Sequence, residues 1–472
     1  MTFLPVLLWS DLLIWLLVLA GVVLGALSSR NPPMRAAWGR VGRSRPGMAA
    51  ATVLVAFVSI GLLDSLHYRP QLEGAEANQP AAHAVDVLSV LDYLTTPVRT
   101  RLEKTYSEPL ATRAYSKEFV EVREADGSVH QVRDFPRLKF GGVHLGEDET
   151  RRDGDILKRV LAAEALAALI LGTLSLGVAR LLARRSDCSQ SEAWRGIWRG
   201  ESEFAWNAVL ITLGALLLIA VPLAALCVDY HVLGTDKVGQ DVFYQILKSI
   251  RTALVIGLVT TLVTLPLAIG LGILAGYFRG WVDDVIQYLY TTLSSIPGVL
   301  LIAAAVLMMQ VIIDTHPQWF STAAERADLR LLALCFILGM TSWTGLCRLL
   351  RGETLKLREL EYIQAAQAFG VSDLRIILRH ILPNLMHIVI IALVMDFSGL
   401  VLAEAVLSYV GIGVDSTMTS FGMMINNARM ELAREPMVWW SLASAFVFMF
   451  ALVLAANLLA DALRDAFDPR MG

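Results

Sequence analysis

Long apolar runs alternate with polar segments along most of the chain, and these runs define the predicted elements. A helix needs roughly 20 apolar residues to cross the hydrocarbon core of a membrane. Runs that approach or exceed this length lie at residues 4–27, 47–63, 157–182, 204–228, 250–277, 284–312, 329–347, 386–409 and 438–460. None shows the alternation of period two that spanning strands require. The pattern predicts an all-α polytopic membrane protein with about nine spanning helices.

Composition agrees with that prediction. Of the 472 residues, 56% are hydrophobic and 18% are charged, and the mean hydropathy of +0.57 is too high for soluble domains of this length. Membrane lipid is therefore the expected surrounding, and a net charge of −3 gives no reason to expect a nucleic-acid partner. The first run carries Asp11 and lacks a basic start, so it is interpreted as a retained span and not as a cleaved signal.

Positive charge predicts the orientation of the spans, because short cytoplasmic loops of membrane proteins are enriched in lysine and arginine. Basic side chains gather after the first run, after the third run, before residue 386 and in the C-terminal tail. They include Arg30, Arg35, Arg40, Arg43 and Arg45, then Arg184, Arg185, Arg195 and Arg199, and later Arg348, Arg351, Lys356, Arg358, Arg375, Arg379, Arg464 and Arg470. This distribution predicts a cytoplasmic C-terminus and, with an odd number of crossings, an N-terminus outside.

Residues 64–156 form one polar block that is much longer than an ordinary connection between helices. Within it, the stretch from Phe119 to Val132 alternates apolar and polar residues around Asp126 and Gly127, which is typical of a β-hairpin. We expect a small external domain that contains β-structure. A solvated spacer without further function is the alternative.

The cytoplasmic segment 348–384 has the strongest local pattern. Its first half is rich in helix formers and ends at Gly370, a residue suited to the left-handed position after a helix. Ser372 can cap a second helix, Asp373 favours its N-terminus, and Pro383 is expected to end it.

The second helix of this segment is predicted to be amphipathic, with one face packed against the protein. That face consists of Leu374, Ile377, Leu378 and Ile381. Ahead of the glycine, Ala365, Ala366 and Ala368 provide a surface of small side chains that a partner can approach closely. The segment is therefore interpreted as a stiff helix–glycine–helix docking element.

Here the sequence resembles a known family. The nonapeptide YIQAAQAFG at residues 362–370, followed by HILPN at residues 380–384, resembles the EAA loop of ABC importer permeases, in particular the C-type permease subunit of the oligopeptide/dipeptide (and nickel) family. Gln364 stands where the motif has glutamate. The resemblance implies coupling to a separate ATPase through Tyr362, Gln364, Ala365, Ala366, Gly370, Ser372, Asp373 and Pro383.

Other segments resemble the same family in the same order. LGTDKVGQD at residues 233–241 is similar to its external signature, with Gly234, Asp236, Gly239 and Asp241 matching and Gln240 replacing an arginine. EAVLSYVGIG at 404–413 and DALRDAFDPR at 461–470 resemble later signatures.

These matches predict a domain organisation. A six-helix permease core would occupy 204–472, with the coupling loop at 348–384. The extension before it would comprise two spans at 1–63, the external insert at 64–156, and a third span with its linker at 157–203.

The resemblance implies a transport subunit of the bacterial inner membrane, without catalytic activity of its own. Implied partners are a second permease subunit, one or two ATP-binding subunits and an external solute-binding protein. The implied solutes are di- or oligopeptides, with nickel or another small solute as the alternative. The chain has no GxxxxGK[ST] motif, so ATP and Mg²⁺ are expected on the partner ATPase and no cofactor on this chain.

Two other classes of protein are alternatives on the same residues. A proton-coupled secondary transporter would use Asp396 inside an apolar run. An intramembrane enzyme would need a motif such as HExxH or GxSxG, and the sequence contains neither.

Two intramembrane carboxylates are candidate pathway or gate groups, Asp396 and Glu404. For Glu404 a structural hydrogen bond to the segment that follows is favoured, and Asp396 is left open. Asp236 and Asp241 are interpreted as helix-capping groups in preference to cation ligands, and no metal site is predicted. The break at residues 296–298 predicts a kink in the sixth run.

Overall fold

The structure is a computed structural model, and it describes residues 3–28, 32–71, 84–123, 129–146, 148–186, 188–320, 322–415 and 417–467. Helices account for most of these residues, which confirms the predicted all-α polytopic fold. The helices are α1 (Trp9–Ser28), α2 (Pro32–Arg43), α3 (Arg45–Asp64), α4 (Val90–Leu94), α5 (Thr96–Arg99), α6 (Arg152–Arg185), α7 (Gln190–Arg199), α8 (Trp206–Leu226), α9 (Val242–Phe278), α10 (Gly280–Ser295), α11 (Gly298–Thr315), α12 (Ala323–Arg358), α13 (Glu361–Ala368), α14 (Asp373–Ile376), α15 (Leu382–Tyr409), α16 (Phe421–Arg429) and α17 (Trp440–Phe467). The strands are β1 (Phe3–Val6), β2 (His67–Pro70), β3 (Leu88–Ser89), β4 (Glu118–Arg123) and β5 (Val129–Asp134).

Among the described residues, eight helices are long and apolar enough to cross a membrane, and α1 adds a shorter apolar stretch at Trp9–Val23. The eight contain α3, α6, α8, α9, α11, α12, α15 and α17. The predicted start of the first span is wrong, because Phe3–Val6 forms a strand and the helix begins at Trp9.

The sixth predicted run, 284–312, is also wrong as a single span. Ile296 adopts an extended conformation with φ −90° and ψ 132°, and helix α11 begins only at Gly298. Pro297 explains the break, since its ring disfavours the helical conformation in the preceding residue. The expected kink is therefore a complete interruption between amphipathic α10 and membrane helix α11.

The two ends of the helix bundle are distinct. At the insert end, which contains the described residues of segment 65–151, β1 pairs antiparallel with β2, so the N-terminal strand and the insert are together. At the opposite loop end, where residues 359–381 lie, the hydroxyl of Tyr277 near the end of α9 donates to Asp373 at 2.7 Å. Trp38 of α2 packs edge-on against Phe467 of α17 at a centroid distance of 5.7 Å. The N-terminal strand and the insert therefore share one end, because two long helices, α1 and α3, run between them.

The insert contains β-structure, as expected from its alternating pattern. Strands β4 and β5 form the predicted hairpin, in register from Glu118 opposite Asp134 to Arg123 opposite Val129. Its turn at Asp126 and Gly127 lies outside the described residues. A second sheet, in the order β1-β2-β3, was not predicted because β1 and β2 pair across more than sixty positions of sequence, and β2 pairs with only the two residues of β3.

Helix α9 is the centre of the bundle and packs along α12, α15 and α3. Close approach to α12 depends on small residues: a Cβ at Gly272 would lie 2.9 Å from the carbonyl oxygen of Cys347. Helix α3 packs against α9 and α17, whereas α8 packs chiefly against α6 and α3. The extension is thus built into the bundle, and the division at residues 203/204 stays a prediction.

Candidate functional site

The segment between α12 and α15 is a folded element at the loop end. Helix α13 ends in a Schellman motif: the amide of Val371 donates to the carbonyl of Ala366 (3.1 Å) and that of Gly370 to Gln367 (3.0 Å). Gly370 has φ +72°, a left-handed conformation that side chains disfavour. The glycine therefore sets the angle between α13 and α14.

Three isoleucines anchor this element to the bundle. Ile363 of α13, Ile376 of α14 and Ile381 are completely buried in one apolar cluster with residues of α9 and α12. Full burial of each aliphatic side chain contributes about 1.5–3 kcal/mol. A displacement of α13 must therefore move its neighbours or break this packing.

The predicted packing face of the second helix is wrong in part. Leu374 and Leu378 are 67% and 55% exposed, whereas Ile376, not predicted to face inward, is buried. The backbone explains the difference: residues Ile377–Ile381 form a π-helical turn, so the 3.6-residue period assumed for the prediction does not apply.

Pro383 does not end the second helix, contrary to expectation. The helix passes through the π turn into α15, with Pro383 at its second position, where the missing amide hydrogen costs little. Ser372 occupies the N-cap position, but its side chain makes no capping hydrogen bond. Segment and membrane helix are consequently one continuous rod from Asp373 to Tyr409.

The remaining predicted loop residues divide between internal contacts and exposure. Tyr362 accepts a hydrogen bond from the Asn384 side chain (3.0 Å), and Asp373 accepts one from Tyr277. Gln364 is exposed, and its side-chain amide donates to the carbonyl of Glu359 (3.2 Å). Ala365 is exposed and Ala366 is half-buried against the apolar cluster.

An exposed apolar surface remains on the loop, and it consists of Phe369, Leu374 and Leu378. Phe369, beside the glycine, is 87% exposed. Scattered single apolar residues are common on protein surfaces, but these three belong to one short anchored segment that also exposes Ala365 and Ala368. The sequence prediction missed Phe369, although its position next to a left-handed glycine makes it protrude.

A largely buried ion pair joins two helices near the loop. Arg351 of α12 donates from Nε and Nη2 to Asp283 of α10, at 2.5 and 2.6 Å. These hydrogen bonds hold the pKa of Asp283 below its usual value. The bidentate geometry fixes α10 against α12 near the loop end.

The predicted external signature forms a tight turn at the insert end. Asp236 Oδ1 accepts from the amides of Val238 and Gln240, both at 2.9 Å, whereas Asp241 caps α9 by accepting from the amide of Phe243 at 2.7 Å. Gly234 and Gly239 have φ +74° and +75°. A Cβ at Gly239 would lie 1.8 Å from the carbonyl oxygen of Glu103, so the turn also fits directly against the insert.

A buried histidine joins the same turn to the insert. His231 lies between Asp241 (Nδ1 to Oδ2, 2.8 Å) and Glu103 (Nε2 to Oε1, 3.3 Å). Burial opposes the charged ring, but the two carboxylates outweigh it and raise the pKa of His231 to about 9. Sequence reasoning missed this residue because its partner Glu103 is distant in the chain.

The two intramembrane carboxylates have different surroundings. Glu404 is buried and accepts hydrogen bonds from Ser408 and from Ser420, which precedes α16. Asp396 is half-buried in the middle of α15 and has no hydrogen-bond or ion-pair partner among the described residues. The described residues also contain no cluster of three or more metal-ligating side chains.

Comparison with known proteins identifies the family. Residues 268–472 match the family described as binding-protein-dependent transport system inner membrane component. The glutathione transport system permease protein GsiD of Pectobacterium atrosepticum is 33% identical over 308 residues, which cover 60% of this chain and 94% of the relative. The chain belongs to this permease family. It is the membrane subunit of an ABC importer, and it is a multi-pass inner-membrane protein.

Two further relatives match about half of the chain. The oligopeptide transport system permease protein OppC of Mycobacterium bovis is 32% identical over 239 residues, 51% of this chain and 76% of the relative. The dipeptide transport system permease protein DppC of Bacillus subtilis is 28% identical over 241 residues, 51% and 69% respectively. The region matched by the permease family includes the anchored loop and Glu404, whereas the external turn at 233–241 precedes it.

Proposed function

We propose that this permease imports peptides, di- or oligopeptides, and forms half of the translocation pathway beside a second permease subunit. The observation that carries the proposal is the anchored loop with its exposed apolar surface at Phe369, Leu374 and Leu378. The names of the relatives, which refer to oligopeptide, dipeptide and glutathione transport, support the solute class.

In this proposal the loop binds a separate ATP-binding subunit, of which the transporter has one or two. ATP and Mg²⁺ bind to these subunits. Phe369 enters a cleft of the ATPase while Ala365 and Gly370 allow close backbone approach. Closure of the ATPase would push α13. The buried Ile363 and Ile376, together with the rod from Asp373 to Tyr409, would pass that movement to the membrane helices.

The insert end is proposed to face outside and the loop end the cytoplasm. The basic helix α2 lies against the end of α17. The coupling loop lies beside the end of α9 that points away from the insert. Enrichment of arginine in these segments supports this orientation. The external solute-binding protein would then dock at the insert.

Asp396 is proposed to line the pathway, and Glu404 to hold the external gate region together. Asp396 is unpaired among the described residues in a membrane helix, the arrangement expected of a group that meets water or solute. Glu404 instead joins α15 to the segment before α16 through Ser420. Replacing Glu404 by Gln should then reduce the rate of uptake less than Asp396→Asn does.

The test is uptake by proteoliposomes that contain the permease, its partner subunits and the binding protein. Dialanine uptake should require ATP on the side of the membrane that carries the ATPase. It should persist when an uncoupler collapses the proton gradient. Loss of uptake on adding the uncoupler at constant ATP would instead establish a proton-coupled transporter. Uptake of nickel but not dialanine would contradict the proposed solute class.

A further inference from the structure

A polar cavity of about 750 Å³ lies at the insert end, between the extension and the permease core. Its volume is within the range of roughly 300–1,000 Å³ that is usual for small-molecule sites. One face of the first turns of α9 forms part of its wall, and the insert, α16 and the start of α12 complete it. Both the core and the extension are therefore needed to form the cavity.

Some of the charges that line the cavity are already paired. Lys248 of α9 contacts Asp64 at 2.6 Å, and Arg251 donates to Asp11 at 2.6 Å. Asp328 accepts from Ser10. These bonds join α9 and α12 to the extension and give the cavity a fixed wall.

Other charged groups of the wall have no partner among the described residues. Arg99 and Lys237 make no ion pair there, nor does the carboxylate of Asp86. In addition, the Nε–H groups of Arg99 and Arg251 are buried without an acceptor, and Arg251 is only 5% exposed. Buried donors are nearly always satisfied by protein, water or ligand, so these two point to an acceptor inside the cavity.

We propose that this cavity binds the transported solute as a zwitterion, before the solute enters the membrane. A free carboxylate would be held by Arg99 and Lys237, because guanidinium groups bind carboxylates with paired hydrogen bonds. A free ammonium group would be held by Asp86. This inference rests on the proposed peptide import and adds a site on this chain that is separate from the external binding protein.

The test measures equilibrium binding of radiolabelled dialanine to the full chain in nanodiscs, without its partner proteins. Wild type should bind dialanine. The C-terminally amidated and the N-acetylated derivatives should each bind at least about tenfold more weakly than dialanine, since each loses one charge-assisted contact. Changing the probe in this way leaves the protein intact.

Matched variants locate the site. Lys237→Gln and Arg99→Gln should each weaken dialanine binding about tenfold. Lys237 is exposed, so its replacement is expected to leave folding unchanged. Arg133→Gln, on exposed β5 away from the cavity, should bind like wild type.

The outcomes separate this inference from the proposed function. Absence of dialanine binding to wild type, or equal binding by Lys237→Gln and wild type, would overturn the cavity assignment. If the assembled transporter still imports dialanine in those cases, the proposed import stands alone. If the assembled transporter does not import dialanine either, the proposed solute class is also wrong.

Discussion

The insert end and the loop end of this permease are stabilised in different ways. At the insert end, charged groups are buried and paired within the chain, as in Arg251 with Asp11 and His231 with Asp241 and Glu103. At the loop end, Phe369, Leu374 and Leu378 remain exposed although the backbone beneath them is anchored by buried isoleucines. The insert end thus contains ion pairs buried within the chain, whereas the loop end presents apolar groups for a partner to cover.

That difference separates stability from function. A buried charge that loses its partner costs several kcal/mol, because the remaining charge has no water to replace the lost contact. An exposed apolar side chain can be replaced at almost no cost to the folded chain. Substitutions of the buried, paired charges at the insert end should therefore affect folding, and those of the exposed apolar residues at the loop end should affect the partner interaction.

The largest effect is expected from Arg251→Met. The change leaves buried Asp11 with His67 as its remaining partner and should destabilise the chain by about 3–5 kcal/mol. Thermal denaturation of the purified chain in detergent would measure the loss. Lys104→Met breaks only the exposed pair with Glu118 and should cost less than about 1 kcal/mol. Equal losses in the two variants would contradict the importance of the buried pair.

The next effect is a pH dependence at His231. Its pKa in the folded chain is about 9, above the usual 6.5, so its stabilisation is complete below pH 6.5 and is lost as the pH rises through 9. The free energy that stabilises the folded turn should fall by about 3 kcal/mol across that pH interval. Hydrogen exchange of residues 231–241, corrected for the intrinsic rate at each pH, would measure it.

The His231→Gln variant is the control for this pH effect. It cannot gain a proton, so protection of the same amides should vary little between pH 6.5 and 9. A wild-type profile as flat as that of the variant would show that the charged histidine does not hold the external turn against the insert.

The sequence predicts the helices well and the contacts between them poorly. Apolar runs identify most of the membrane helices, because the bilayer requires about 20 apolar residues wherever the helix packs, although the run 284–312 joined α10 to α11. The ion pairs of the insert end join residues up to 240 positions apart, such as Arg251 with Asp11, and no local pattern links such partners. Charges inside predicted spans were the available signal that a partner existed, but not which one.

Local sequence also predicted part of the loop. Gly370 was correctly placed in a left-handed position, because only the residues from Ala366 to Val371 determine that motif. The buried face was misassigned because the π-helical turn at Ile377–Ile381 lets Ile376 and Ile381, five residues apart, both face the bundle. The roles of the loop residues in coupling stay predictions.

A smaller effect on stability is expected at Gly370. Gly370→Asp strains the left-handed backbone by about 1 kcal/mol, and no atom lies within 4 Å of the new Cβ, so the chain should still fold and insert. ATP-driven uptake should nevertheless be lost, because the new side chain lies in the proposed ATPase contact. Uptake at the wild-type rate would contradict the coupling role of the loop.

Gly146 provides the matched control for that substitution. It has φ +58° and equally open space around a new Cβ, but it lies in the insert. Because ψ of Gly146 is −138°, which side chains adopt even less readily at positive φ, Gly146→Asp should show an equal or larger loss of thermal stability and should retain uptake. Loss of uptake in both variants would mean that backbone strain alone, at either end, disables the transporter.

The smallest effect on stability is expected at the exposed phenylalanines, and it tests the comparison most directly. Phe369→Ser and Phe119→Ser remove side chains that are 87% and 72% exposed, so each should change stability by less than about 0.5 kcal/mol. Only Phe369 lies at the loop end, and burial of its ring by the ATPase is worth about 1.5–3 kcal/mol. Phe369→Ser should therefore weaken ATPase binding by roughly tenfold to a hundredfold, measured by titrating the ATPase onto the permease in nanodiscs. Equal affinities of the two variants would place the docking surface elsewhere.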